Sequence, residues 1–369
     1  MKINFVLPTV NMSGGIRVVA IYARMLAQRG HDVVLVSPPQ AVKRASLKAR
    51  LRQLVAWRRP TAAGPTKSHL DDSGLDHRIL EQWRPVQDGD LPDADVVIAT
   101  WWETAEWVAA LAPAKGKKVY FVQGHEVFPW LPQERCRATY RLPLRKIAVA
   151  RWLARVMHEE YEDAAVHVVP NSVDHDQFFA PLRSKQSRPT IGFLCSNVPI
   201  KGMDVALHAI ELIRKRLPDL RVLSFGNHRS AQALPHFIEF AFDPPQDRLR
   251  DLYAACDVWL TASRSEGFNL TAMEAMACRT PVVSTRTGWP EESLINGING
   301  ACVAIDDAEG LAAESTSLLE LPDASWRRVS QAAFDTVSAC SWEKSADLFE
   351  SALADIAHVH SIADEPAAA

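Results

Sequence analysis

Ser265-Glu266-Gly267-Phe268-Asn269-Leu270-Thr271-Ala272-Met273-Glu274-Ala275-Met276-Ala277 follows an apolar run, Asp257-Val258-Trp259-Leu260, that reads as a buried strand. A short polar turn ends at Glu266, a helix opens at Gly267, and Glu274 comes eight positions after the first glutamate. A helix rises about 1.5 Å per residue, so one continuous helix would hold the two carboxylates roughly 12 Å apart. With Glu266 on the loop instead, both can face one ligand lying across the helix N-terminus. Free N–H groups and the positive end of the helix dipole suit a diphosphate there. The carboxylates would accept hydrogen bonds from sugar hydroxyls. Two solvated glutamates on an ordinary strand–loop–helix unit fit this stretch alone equally well.

Outward from this stretch, the pattern of strand then helix repeats. Thr190 to Cys195 reads as a strand, Ser196-Asn197-Val198-Pro199-Ile200-Lys201-Gly202 as a turn, Met203 to Leu217 as a helix and Leu220 to Phe225 as a strand. Lys201, at a βα turn beyond a strand end, can place its ammonium on a phosphate; a solvated surface lysine has the same address. Thr280 to Thr285 is a further strand, and Pro290 to Gly300 a short helix with a glycine-rich turn.

The N-terminal half follows the same plan. Ile3 to Leu7 and Asp32 to Ser37 read as strands joined by a helix from Gly15 to Arg29. Apolar strands alternating with helices mean a parallel sheet covered on both faces. Gly14 and Gly15 sit in the first βα turn, without the full dinucleotide fingerprint and with no P-loop anywhere in the chain. Asp95 to Thr100 is a strand followed by Trp101-Trp102-Glu103-Thr104-Ala105, and Lys117 to Val122 another followed by Gln123-Gly124-His125-Glu126. Ligands of open parallel sheets bind beyond the carboxyl ends of strands, where Gly14, Gly15, Trp101, Glu103, His125 and Glu126 all fall. Leu144 to His158 reads as a basic helical stretch ahead of a strand over Ala165 to Val169.

At 369 residues the chain calls for two domains, and 47% hydrophobic with 23% charged residues is globular composition. The boundary falls near residues 175–188. This gives 1–175 and 176–341 as two domains, a final helix over 342–357 and a disordered tail over 358–369. No nucleic-acid partner is expected, although the net charge of −3 by itself argues neither for nor against one, and that charge is unevenly spread. Lys43, Arg44, Lys48, Arg50, Arg52, Arg58, Arg59 and Lys67 lie in a stretch from Gln40 to Leu70 with no acidic residue. Leu47, Leu51, Leu54 and Val55 recur there at helical spacing, which fits docking on an anionic membrane surface or an ordinary surface helix. Cys136, Cys195, Cys256, Cys278, Cys302 and Cys340 are scattered singly, as expected of reduced thiols in the cytoplasm. No run approaches the length of a membrane span.

Together these pieces resemble the retaining glycosyltransferases of the GT-B fold, in the large family-4 group. The most specific part is E-x7-E, here Glu266 to Glu274. Pro281-Val282-Val283, Pro290-Glu291 with Asn296-Gly297, Asn171-Ser172-Val173-Asp174 and Lys201-Gly202 fit the same pattern. The resemblance implies an α/β fold of two Rossmann-like domains facing across a cleft, with the Trp342-Glu343 helix crossing back to the N-terminal domain. It also implies roles. Glu274 would hold ribose hydroxyls and Glu266 donor-sugar hydroxyls, while the amides of Gly267, Phe268, Asn269 and Leu270 would face sugar and phosphates. Lys201 would neutralise the departing diphosphate. His125 matches the active-site histidine, and Gly14 and Gly15 the glycine loop facing phosphate and acceptor. Trp101, Trp102 and Glu103 resemble an acceptor-side segment of some polysaccharide glycosyltransferases. No metal or other cofactor enters that scheme, and no Asp-x-Asp motif stands beside a strand end.

One departure stands out. Many relatives carry an arginine five positions before the lysine, where this chain has Ser196 followed by Asn197. Neutral donors there bind phosphate about half as strongly as charged ones, unless another residue such as Arg229 supplies the second charge. The expected activity is transfer of a hexose or deoxyhexose from a nucleotide diphosphate sugar to a polysaccharide, glycan or lipid-linked acceptor, with the enzyme cytoplasmic or peripheral on the inner face of the membrane. The alternatives are a non-catalytic nucleotide-sugar-binding protein on the same scaffold and a nucleotide-sugar epimerase of related fold.

Overall fold

The computed structural model describes residues 1–40, 67–71, 73–227 and 234–358. The basic stretch Lys43 to Arg59, and Arg229, lie outside these residues. The chain divides into two compact units. The first holds Met1–Ile147, Met157–His167 and the chain from Ala346 onward; the second holds Ala148–Val156 and Val168–Ser345.

The first unit is built on a seven-stranded sheet in the order β3-β2-β1-β4-β5-β6-β7. Its strands are β1 (Lys2–Val6), β2 (Asp32–Ser37), β3 (Asp76–Ile79), β4 (Val96–Ala99), β5 (Lys117–Val122), β6 (Arg145–Ala148) and β7 (Val166–Val168). The pairs from β3 to β5 are parallel. Helices α1 (Gly14–Gln28), α2 (Trp102–Ala110), α3 (Gln133–Thr139) and α4 (Arg151–Tyr161) follow β1, β4, β5 and β6. The order reverses between β1 and β4, which opens a crevice at their carboxyl ends.

The second unit repeats the plan with a six-stranded, all-parallel sheet in the order β10-β9-β8-β11-β12-β13. The strands are β8 (Thr190–Leu194), β9 (Arg221–Gly226), β10 (Ile238–Phe242), β11 (Val258–Thr261), β12 (Val282–Thr285) and β13 (Gly300–Val303). The helices are α5 (Met203–Arg216), α6 (Leu249–Ala254), α7 (Leu270–Ala277), α8 (Trp289–Ser293), α9 (Ala308–Glu320) and α10 (Asp323–Ser338). Ile191, Phe193, Ile210, Val258, Leu260 and Val283 form its core, which is why these strands are continuous apolar runs. Here the order reverses between β8 and β11.

The last helix, α11 (Trp342–His358), packs in the first unit. Phe349 is fully buried, stacked at 4.5 Å on Tyr22 of α1 and edge-on at 5.1 Å to Phe121 of β5. Such aromatic pairs contribute about 1 kcal/mol each beyond their buried area. Arg29 donates to Glu350 at 2.7 Å and reaches Asp347 at 2.6 Å, and His31 meets Glu350 at 2.8 Å. Arg29 and then His31 hold the Glu350 carboxyl below its ordinary range.

The stretch Leu144 to His158, read as one helix, is instead a strand followed by a helix. Lys146 on β6 is 3% exposed and pairs with Asp163, so a buried cation interrupts what would otherwise read as an apolar strand. Among the described residues no helix is long and apolar enough to cross a membrane.

Candidate active site

Two βα turns of the second unit meet at the β8/β11 switch point. The turn after β8 carries Ser196 to Gly202, and the turn after β11 carries Ser263 to Asn269. They are clamped through backbone: Arg264 N donates to Ile200 O at 2.7 Å. Gly202 has φ +61°, and a Cβ there would lie 1.9 Å from the carbonyl oxygen of Ala262, so only glycine allows this approach. The Arg264 guanidinium reinforces the clamp, donating to Asp204 at 2.7 Å, Asp306 at 2.6 Å and Pro199 O at 3.1 Å. Those carboxylates keep its charge firmly in place.

This clamp sets Lys201 against Glu266. The lysine Nζ lies 2.8 Å from each carboxylate oxygen, and the Ser263 hydroxyl donates to Oε1 at 2.6 Å. The Glu266 side chain is 10% exposed and that of Lys201 30%, so the pair sits at a solvent-reachable rim. Gly288, at φ +67°, closes the other side of the loop, where a Cβ would lie 2.9 Å from the Glu266 Cβ. Trp289 N donates to Phe268 O at 2.8 Å, and the two rings stack at 5.9 Å. Trp152 at the start of α4 donates its indole N–H to Gly267 O at 2.8 Å.

Asn269 takes φ +77° to turn the chain into α7, and its amide donates to Thr261 Oγ1 at 3.2 Å. The backbone N–H groups of Gly267, Phe268, Asn269 and Leu270 donate to no acceptor within the described residues. They form a row of amides at a helix N-terminus, beside the Lys201 ammonium, which is chemistry for an anion. Glu274 is one turn into α7, 3% exposed, and accepts from the Tyr253 hydroxyl at 2.8 Å. Ser196 accepts from Val198 N at 3.2 Å, and Asn197 is exposed. Arg264, two residues before Glu266 in the chain, is already bound to two aspartates.

In the first unit the strand-end residues gather around His125. Its Nε2 lies 2.7 Å from the Tyr161 hydroxyl and 3.9 Å from Glu160, and burial pushes its pKa down. Glu126, 3% exposed, accepts from Trp102 N at 2.7 Å and from the Tyr120 hydroxyl at 3.0 Å. Its own N–H donates to Tyr140 Oη at 2.8 Å, and burial pushes the carboxyl up to about 8. The Trp102 indole is 4% exposed beneath the Arg135 guanidinium, 5.1 Å from the ring centroid, while Trp101 and Glu103 are half-buried. Burial raises the Glu103 carboxyl, with Arg135 opposing. Gly14 and Gly15 open α1, and the Gln123 amide lies beside Gly15.

Sequence reading passed over Ser263, Arg264, Tyr253, Trp152, Gly288 and Tyr161. Gly288 ahead of Trp289-Pro290 carries a turn signal, and Ser263 lies only three residues before its partner Glu266; the others act through long-range contacts that spacing does not encode. Among the described residues no cluster of three or more His, Cys, Asp or Glu side chains that could hold a metal ion occurs.

The fold, two parallel-sheet α/β units, is that of GT-B glycosyltransferases. The family model described as Glycosyltransferase Family 4 matches residues 12–177, and the one described as Glycosyl transferases group 1 matches residues 188–321. The chain belongs to this family of glycosyltransferases. It is similar to the D-inositol 3-phosphate glycosyltransferase of Nocardiopsis dassonvillei, with 29% identity over 224 residues, 53% of this chain and 52% of that one. The GDP-mannose-dependent alpha-(1-6)-phosphatidylinositol monomannoside mannosyltransferase of Mycolicibacterium smegmatis is 26% identical over 262 residues, 60% of this chain and 67% of that one. The alignment thus spans about half the length of the Nocardiopsis relative, 52%. In structure the chain resembles Anabaena Alr3699/HepE, solved in complex with UDP and glucose, with a TM-score of 0.72, 16% identity, and coverage of 96% of this chain and 99% of that one.

Proposed function

We propose that the protein is a retaining glycosyltransferase that moves a hexose or deoxyhexose from a nucleotide diphosphate sugar to a glycan, polysaccharide or lipid-linked acceptor. The observation that carries this reading is the Lys201 ammonium, 2.8 Å from both oxygens of Glu266, at the amide-lined start of α7. A cation with unpaired amides suits a diphosphate leaving group, and a carboxylate beside them suits sugar hydroxyls. The relatives' names support it, since they pair sugar transfer with inositol phosphate or phosphatidylinositol-linked acceptors.

In this reading residues 176–341 hold the donor and residues 1–175 the acceptor. Glu274, oriented by Tyr253, accepts from the ribose hydroxyls. Glu266 accepts from donor-sugar hydroxyls. As the bond from the anomeric carbon to the phosphate oxygen breaks, Lys201 and the amides of Gly267 to Leu270 take up the developing negative charge. The acceptor hydroxyl attacks from the same face, and its proton passes to the departing phosphate oxygen. His125, neutral through burial, contacts the donor sugar, and Gly14 and Gly15 face phosphate and acceptor. Trp101, Trp102 and Glu103 make up the acceptor-side segment, with the Trp102 ring buried beneath Arg135. Every proton and charge in this scheme is handled by protein and substrates, with no cofactor. Ser196 and Asn197 offer neutral hydrogen bonds to the diphosphate.

Incubation with a panel of nucleotide sugars tests the reading: donor hydrolysis or saturable binding by one of them supports it, and binding of none overturns it. The basic residues Lys43 to Arg59 extend the proposal to peripheral docking on an anionic membrane, on the cytoplasmic side where nucleotide sugars are. Co-sedimentation with anionic but not neutral liposomes, lost at high salt, is the expected result; equal binding to both removes it.

A further inference from the structure

The His125 loop is held from three directions. The Glu126 carboxyl accepts from the first amide of α2 and the Tyr120 hydroxyl, the Glu126 amide donates to Tyr140 Oη, and Tyr140 Oη donates to Gly124 O at 3.1 Å. The backbone on both sides of His125 is therefore fixed, and only the ring's rotation and tautomer stay open. The ring packs at 5.5 Å from the Tyr140 ring and 5.8 Å from the Tyr161 ring, and the Tyr161 hydroxyl lies 2.7 Å from Nε2. Tyr161 sits on α4, 36 residues along the chain, and is itself 6% exposed. A phenol carries one proton. His125 Nε2 is the acceptor in reach of it among the described residues.

We propose that Tyr161 is the positioning residue of His125: its hydroxyl donates to Nε2, which leaves the proton on Nδ1 and makes Nδ1–H the group offered to the ligand. The tautomer of an imidazole is set by the hydrogen bond its other nitrogen makes. A neutral His125 held this way is a hydrogen-bond donor of fixed direction, suited to an oxygen of a sugar or phosphate. Burial keeps the ring neutral, with Arg137 adding to that effect and Glu160 opposing it. The Tyr161 hydroxyl keeps its proton through the same range, because burial and Glu160 push its pKa up to about 12. This rests on the glycosyltransferase reading for the identity of the ligand, while the ring's tautomer is a property of the free protein.

The test is selective 15N-histidine labelling of the full chain, with long-range proton–nitrogen spectra at a pH above the histidine titration. The His125 signals are those missing from His125→Gln. The expected result is a protonated Nδ1 and bare Nε2 in the wild type, moving toward the Nε2–H form in Tyr161→Phe. An Nε2–H ring in the wild type, or the same tautomer in both proteins, overturns the proposal. Sugar transfer by Tyr161→Phe is expected to lose roughly tenfold or more in kcat, with KM within about twofold. A change in KM alone contradicts the positioning role. The spectra read the ring whatever the ligand, so a failed donor screen overturns the transferase reading and leaves the tautomer result to stand by itself.

Discussion

Lys201 and Glu266, 65 residues apart in the chain, are each other's partner, with Nζ 2.8 Å from both carboxylate oxygens. The group proposed for the diphosphate and the group proposed for the donor sugar thus neutralise one another. A nucleoside diphosphate that takes the ammonium must share it with the carboxylate. A nucleotide sugar offers hydroxyl donors to the carboxylate at the same moment, and so compensates the exchange. On the proposed roles the pair should therefore favour the intact donor over the spent nucleotide.

Glu266→Gln should bind a nucleoside diphosphate as tightly as the wild type or more tightly, because Lys201 is no longer drawn to a charge. Sugar transfer by the same variant should fall by roughly 100-fold or more, on the scale of losing one group preorganised for the transition state. Lys201→Ala should lose both, with diphosphate affinity down by about 2 kcal/mol, the scale of a charge-assisted hydrogen bond. Titration calorimetry with the diphosphate and initial rates with the sugar donor separate the two; a Glu266→Gln protein that binds the diphosphate more weakly contradicts the account.

Tyr253 and Glu274 make a second test. If Glu274 holds ribose hydroxyls, Glu274→Ala should bind a ribonucleotide and its 2′-deoxy analogue almost equally. Tyr253→Phe, which removes the 2.8 Å hydrogen bond to Glu274, should weaken the ribonucleotide by a few-fold, about 1 kcal/mol. Undiminished preference for the ribonucleotide in Glu274→Ala would show that the ribose is read elsewhere.

Gly202 and Gly297 both have positive φ, +61° and +77°, but their surroundings differ. A Cβ at Gly297 meets nothing within 4 Å, whereas one at Gly202 lies 1.9 Å from Ala262 O. Gly297→Ala should cost about 1 kcal/mol of backbone strain. Gly202→Ala should cost clearly more, and should also weaken diphosphate binding, because the Lys201 turn must move. Equal urea midpoints for the two variants would contradict the clamp.

Glu126 gives a pH dependence. Its carboxyl is pushed up to about 8 by burial, from an ordinary value of 4.5. Between those values the folded protein holds a proton that the unfolded chain has released. The stabilisation is thus complete below the ordinary value, declines as pH rises toward 8, and is flat above it. Glu126→Gln removes the titrating group, so the fall in urea midpoint between pH 5 and pH 8 should be shallower than in the wild type. Parallel slopes would contradict the buried, protonated carboxyl.

The two-turn corner of the second unit is legible because β8, β11 and β12 are buried, and their apolar runs end in turns rich in glycine and polar residues. Glu266, Glu274 and Lys201 could be placed beyond strand ends from order alone. The edge strands β3, Asp76-His77-Arg78-Ile79, and β10, with Glu239 as its second residue, do not stand out as apolar runs since edges tolerate polar side chains. Strand β6 was hidden by Lys146, whose partner Asp163 lies 17 residues on. Short-range patterns also cannot show that Tyr161 reaches His125 or that Tyr253 reaches Glu274, because packing alone brings each pair together.

The most direct test of the central claim is the stereochemistry of transfer. With the donor found by screening and a matching acceptor, the anomeric configuration of the first-formed product is read by proton NMR. The account predicts the donor's configuration retained in the product and lost activity in Lys201→Ala; an inverted product, or undiminished transfer by Lys201→Ala, would contradict it.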